Sequence, residues 1–208
     1  MKHINIVFAF LVICFCSAFV AINEDLHAAM NKMMQKMKSM KMSGDPDHDF
    51  AMMMAEHHQG SIDMSEILVK SGKDEKIKML AQNILDKQSK EQQQLRSHAK
   101  SDSHDQSHAA HDQGSGSSTS EEGNAFSSEM KQAMEGMETE MKNMKMTNNV
   151  DHDFATMMIP HHQSAIEMSN AVITHGKDQK IKNIAEKIKS HSENEIGQLK
   201  EWLSSHGK

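Results

Sequence analysis

The chain has 208 residues, with 23 basic and 29 acidic side chains and a formal net charge of −6. Hydrophobic residues make up 37% and mean hydropathy is −0.65, which excludes a polytopic membrane protein; the acidic balance argues against nucleic acid as the main partner. Met occurs 21 times and His 15 times, against 7 Phe, one Trp and no Tyr, so thioethers must fill positions where aromatics ordinarily stand.

Residues 1–21 predict a secretory signal. Lys2 gives a basic start, Ile4 to Val20 an apolar run, and Cys16-Ser17-Ala18 small residues for cleavage. Export to a periplasmic or extracellular space is expected, with no stable membrane insertion after cleavage. Cys14 and Cys16 both lie in this segment. The mature chain therefore has neither a disulfide nor a thiolate site, and any soft-metal site must use Met and His.

The rest of the chain is a duplication. Displaced by 104 residues, Asp47-His48-Asp49-Phe50-Ala51 falls on Asp151-His152-Asp153-Phe154-Ala155, and His57-His58-Gln59 on His161-His162-Gln163. The register predicts repeats over 22–98 and 127–208, joined by a flexible linker over 99–126 rich in His, Ser and Gly. Each repeat reads as three helices. The first covers about 24–42. The second starts from Asp47 as N-cap and stops at Gly72, and the third covers about 74–98. The second repeat restarts at Ser128, Asp151 and Asp178. The two long hairpins can dock into an all-α four-helix bundle, with the Met-rich helices added to it.

The first helix carries Met30, Met33, Met37 and Met40 on one face, and its counterpart Met130, Met134, Met137, Met141 and Met144. A Met stripe is usually a packing face. The third helices, however, use Ile77, Leu80, Ile84, Ile181 and Ile188 where packing is the only task. Met is thus concentrated beside the histidines, and Met37, Met40, Met141 and Met144 become candidate ligands.

The second helix places Met53 and His57, and Met54 and His58, one turn apart, with Met64 two turns beyond His57. Met157, Met158, His161, His162 and Met168 repeat the set. His57 shares a stripe with Phe50, Met54, Ser61 and Leu68 and so points inward. A core histidine bonded to a neighbour is the plain alternative. Imidazole with thioether is a ligand set for Cu(I), with Ag(I) as a soft analogue; Zn(II) would more often bring Cys or carboxylate. His48 and His152, beside acids at helix starts, are outer ligands or solvated cap residues. The linker residues His104, His108 and His111 either hold Cu(II) loosely or are simply polar.

The run Met158-Ile159-Pro160-His161-His162-Gln163-Ser164-Ala165-Ile166-Glu167-Met168 resembles the CopM-like family of domains of unknown function. The first copy departs from the motif at Ala55-Glu56 and Gly60-Ser61. The resemblance implies a ferritin-like helical bundle, export, and copper binding or resistance, with other envelope copper-handling proteins as partners. Di-iron bundles need Glu-x-x-His pairs. Only Glu24-Asp25-Leu26-His27 has that spacing, which argues against iron. No nucleophile and base are paired by spacing, so a non-enzymatic role is expected. An oxidase and a Met-rich protein-interaction module are the competing classes.

Overall fold

The computed structural model describes residues 25–105 and 121–206. The proposed signal segment, and linker residues 106–120, lie outside them. Among the described residues every regular element is helical: α1 at 25–39, then α2 at Pro46–Ser71, α3 at Glu75–Asp105, α4 at Glu121–Asn143, α5 at Val150–His175 and α6 at Gln179–His206. None is long and apolar enough to cross a membrane. The linker is shorter than its composition predicts, because α3 continues to Asp105 and α4 starts at Glu121.

The starts of α2 and α5 correct one expectation. Asp45, not Asp47, caps α2, accepting from the amides of Asp47 and His48, and Pro46 takes the first helical position. Proline suits that position, since its fixed φ is helical and its missing N–H would be unpaired there. Asn149 caps α5 in the same way. The turn before each cap needs positive φ, which Gly44 (90°) supplies in one repeat and Asn148 (62°) in the other. Asn is among the few side-chain-bearing residues that visit this region readily.

Freed from capping their own helices, Asp47 and Asp151 reach across the molecule. Asp151 accepts from the amides of Lys73 and Asp74 ahead of α3, and Asp47 from those of Lys177 and Asp178 ahead of α6. This explains the glycines at the preceding turns. A Cβ on Gly72 would meet Asp151 Oδ1 at 2.7 Å, and one on Gly176 would collide with Asp47. Neither glycine has positive φ as a helix stop. Each leaves room for a carboxylate from the other repeat.

The hairpins α2–α3 and α5–α6 pack as one bundle. Contacts link α2 to α5 and α3 to α6. The pairs His57–Ser164 and Ser61–Met158 place α2 and α5 antiparallel about a pseudo-two-fold axis at His57 and His161. Helix α1 lies on α2, with Met33 against Gly60 and Lys36 paired to Glu56. Helix α4 lies on α5, and Lys38 on α1 meets Glu138 on α4 at 2.6 Å. The core includes Phe50, Met54, Met64, Leu68, Phe154, Met158, Met168 and Ile181, all fully buried. Each 26-residue helix at the centre spans roughly 39 Å at 1.5 Å per residue.

Candidate metal centre

The helix period that buries Phe50 and Leu68 also buries His57, and the duplication brings His161 beside it. Their ring centroids are 3.9 Å apart. His58 lies 6.4 Å from His57 and His162 5.9 Å from His161. Four imidazoles therefore form a row through the buried interior, each no more than 1% exposed.

Each end of the row is held by a glutamate from the third helix of its own repeat. His58 Nε2 donates to Glu91 at 2.9 Å, and His162 Nε2 to Glu195 at 2.8 Å. Burial pushes both carboxyls up, but hydrogen bonds from His58 and His191 to Glu91, and from His162 and Lys87 to Glu195, hold them below the usual carboxylate value. His57 and His161 have no carboxylate. Burial, then the neighbouring histidines, hold both well below an ordinary imidazole and keep them neutral.

Tautomers follow from the partners. His161 Nε2 lies 3.1 Å from the His57 carbonyl, which can only accept, so Nε2 donates and Nδ1 keeps its lone pair. His58 donates through Nε2, leaving Nδ1 bare. His57 Nε2 contacts Ser164 Oγ at 2.6 Å, and that hydroxyl donates to the His161 carbonyl at 3.1 Å. The Nδ1 atoms of His57, His58 and His161 are buried with no hydrogen-bond partner among the described residues. A histidine with one nitrogen donated to carboxylate and the other bare has the outer-shell arrangement of a metal ligand. His162 differs, because its Nδ1 faces the Met158 carbonyl at 2.9 Å and both its nitrogens are engaged.

Thioethers gather one turn away. Met37, Met40 and Met42 at the end of α1, Met53 on α2, and Met130 and Met134 on α4 line a cavity of about 330 Å³. Met37, Met53 and Met130 are buried, and Met40, Met42 and Met134 are partly buried. Lys38 and Lys131 also border it. Their charges are paired, Lys38 with Glu138 at 2.6 Å and Lys131 with Glu135 at 3.6 Å. Met53 stands one turn before His57, so this wall adjoins the imidazole row.

The predicted residues thus divide. Met37, Met40 and Met53 meet in the thioether cavity, and His57, His58, His161 and His162 in the row. Met54, Met64, Met157, Met158 and Met168 are wholly buried and line neither cavity nor row, although Ser61 Oγ does donate to Met158 Sδ at 3.4 Å. Met141 is buried in the core cluster and Met144 is partly buried against it. His48 and His152 are partly exposed at helix starts, roughly 13 Å along the axis from His57 and His161 at the helical rise, and His152 contacts Asp153 and Thr156. Of the linker histidines, His108 and His111 lie outside the described residues and only the backbone of His104 is described. The sequence reading did not single out Met42, Met130 and Met134, which line the cavity, as candidate ligands, and passed over Glu91 and Glu195 altogether. Glu91 and Glu195 are 104 residues apart, so the repeat register held the signal. Among the described residues, no three His, Cys, Asp or Glu side chains converge as a metal site.

Comparison with curated proteins gives no match. Solved structures do match in fold. A DUF305 fragment from Deinococcus radiodurans is 18% identical, with a TM-score of 0.54 over 77% of this chain and 96% of its own. CopM in the apo form is 24% identical, with a TM-score of 0.53 over 76% and 96%. A DUF305 protein from Streptomyces coelicolor is 19% identical, with a TM-score of 0.58 over 80% and 96%. The model of the family described as domain of unknown function DUF305 matches residues 47–203. That span holds both His-His helices and both glutamates, and the chain belongs to the DUF305 family.

Proposed function

We propose that this is an exported copper-binding protein that sequesters Cu(I), and its soft analogue Ag(I), or hands it to other envelope copper-handling proteins. The observation that carries the reading is the cavity walled by six methionines from both repeats. Methionine used only for packing fills space to crystal-like density. Here the thioethers face a cavity instead. Thioether and neutral imidazole prefer Cu(I) and Ag(I), while Zn(II) or iron would require the carboxylate or thiolate convergence that the described residues lack. The family resemblance and the similarity to CopM support copper as the cargo. The role is binding rather than turnover, and the protein contributes to copper resistance.

Glu91 and Glu195 in the core favour one second reading, an oxidase of the ferritin-like class. Its mark would be catalytic conversion of Cu(I) to Cu(II) in air.

The test is an anaerobic Cu(I) titration against a chromophoric chelator, with Zn(II) and Fe(II) run beside it. Wild type should compete for Cu(I) and take little Zn(II) or Fe(II). Met53→Leu with Met130→Leu, a swap that nearly conserves volume, should remove the pocket's share of the bound Cu(I). Failure of wild type to compete at all would overturn the reading.

A further inference from the structure

A second cluster of soft and aromatic side chains lies apart from both centres, in the groove between α3 and α6. Met79, Trp202 and His206 line it, and its volume is about 370 Å³. Met79 is 60% exposed, so packing gives no reason for a thioether there. Trp202 is the only tryptophan of the chain and is 7% exposed. His206 stacks on it with centroids 4.6 Å apart and planes 10° from parallel.

The two repeats diverge here together. In the 104-residue register Met79 corresponds to Asn183, and Trp202 to His98. Thioether and indole thus occur at one end of the bundle, where the other end carries an amide and an imidazole.

Exposed Lys76 and Glu201 line the groove with opposite charges, and the polar groups that meet the indole are His206 and Asp74. His206 Nδ1 lies 2.9 Å from the Trp202 carbonyl, an acceptor only, so Nδ1 carries a proton and a neutral ring keeps its lone pair on Nε2. That nitrogen faces Asp74 Oδ2 at 3.4 Å. The indole N–H donates to the other oxygen of Asp74 at 2.9 Å, and this bond, ahead of backbone amides, holds the carboxyl below its usual value. A protonated His206 pairs with Asp74 as an ion pair, whereas a neutral ring sets a lone pair opposite the carboxylate, beside an exposed sulfur and an aromatic ring.

We propose that the Met79–Trp202–His206 groove is a separate, surface-exposed site for one soft monovalent cation, Cu(I) or Ag(I). Met79 sulfur and His206 Nε2 are its donors, the indole contributes a cation–π contact, and Asp74 supplies the countercharge. Because Met79 is exposed, the cation held here exchanges with solvent or with another carrier more readily than one in the buried cavity. The site stands on its own residues and shares only the class of cation with the reading above.

The lone indole reports directly on the site. Silver nitrate, titrated into the full mature chain in chloride-free buffer, should quench Trp202 emission and saturate at one Ag(I) per chain. Met79→Leu, at an exposed position that leaves the fold intact, should abolish the quench and lower total bound Ag(I) by one. His206→Gln should weaken the site at least about tenfold, since it removes a donor nitrogen of a two-donor site. Ag(I) retained by the chain with indole emission unchanged, or a quench that survives Met79→Leu, would overturn the groove site alone and leave His206 and Asp74 an ordinary ion pair. A chain that binds no Ag(I) anywhere would overturn both this site and the soft-metal reading.

Discussion

His57 shows what a single buried titratable residue does to the chain. Folded, His57 and His161 resist protonation because burial and the adjacent imidazoles disfavour charge. Unfolded, each takes a proton near the ordinary value of about 6.5. Below that pH the unfolded chain binds more protons than the folded one. The contribution to stability is therefore full above about pH 6.5 and is lost as pH falls toward the depressed folded values. The thermal midpoint of the metal-free protein should fall between about pH 7.5 and 5.5, with a shallower slope in the double variant His57→Phe/His161→Phe. Equal slopes in the two proteins would refute this assignment. Glycine gives a second contrast. A Cβ on Gly60 would press Met33 Cγ at 2.9 Å, whereas Gly136 has nothing within 4 Å. Gly60→Ala should destabilise by about 1–3 kcal/mol through overpacking, and Gly136→Ala should stabilise by roughly 0.5–1 kcal/mol through helix propensity. Chemical denaturation of both variants checks the pair, and equal signs would contradict the packing account.

The turns that lead into α3 and α6 are each tied down by a carboxylate of the other repeat. Asp74 and Asp178 cap α3 and α6, while Asp151 and Asp47 hold the turn amides just ahead of those helices and so bind the hairpins together. Replacing Asp47 or Asp151 with Ala should cost about 1.5–3 kcal/mol, because part-buried turn amides lose a charged acceptor that also joins the two repeats. Asp45→Ala should cost about 1 kcal/mol, since it loses only a local cap. Urea midpoints of the three variants order these effects, and Asp45→Ala proving the most costly would contradict the cross-repeat role. The helix pattern and the inward face of His57 were legible in the sequence, because a period of 3.6 is local information. The roles of Asp47, Gly72 and Gly176 were not. Their partners are about 80 to 130 residues away, and an Asp at a helix start looks the same whether it caps that helix or ties down a distant turn. Glu91 and Glu195 were hidden for the same reason. Each lies 33 residues from its histidine, on a helix whose remaining pattern is ordinary packing.

In the whole molecule, duplication supplies two half-sites and the antiparallel crossing of α2 and α5 joins them. The first repeat contributes four methionines to the cavity, Met37 from α1, Met40 and Met42 from the turn after it and Met53 from α2, and α4 contributes two, so neither repeat alone completes it. The stripes on the first helices were legible as soft faces, but which methionines share a cavity depends on α4 meeting α1, and only the tertiary fold sets that. The imidazole row is likewise a property of the pair, since the orphaned nitrogens of His57, His58 and His161 come from both repeats. The measurement that tests this account most directly is X-ray absorption at the copper edge of the full mature chain loaded anaerobically with Cu(I). The account predicts a first shell dominated by sulfur, with a minor nitrogen contribution, and loss of the sulfur scattering in Met53→Leu/Met130→Leu at one Cu(I) per chain. A shell of nitrogen and oxygen alone would contradict it.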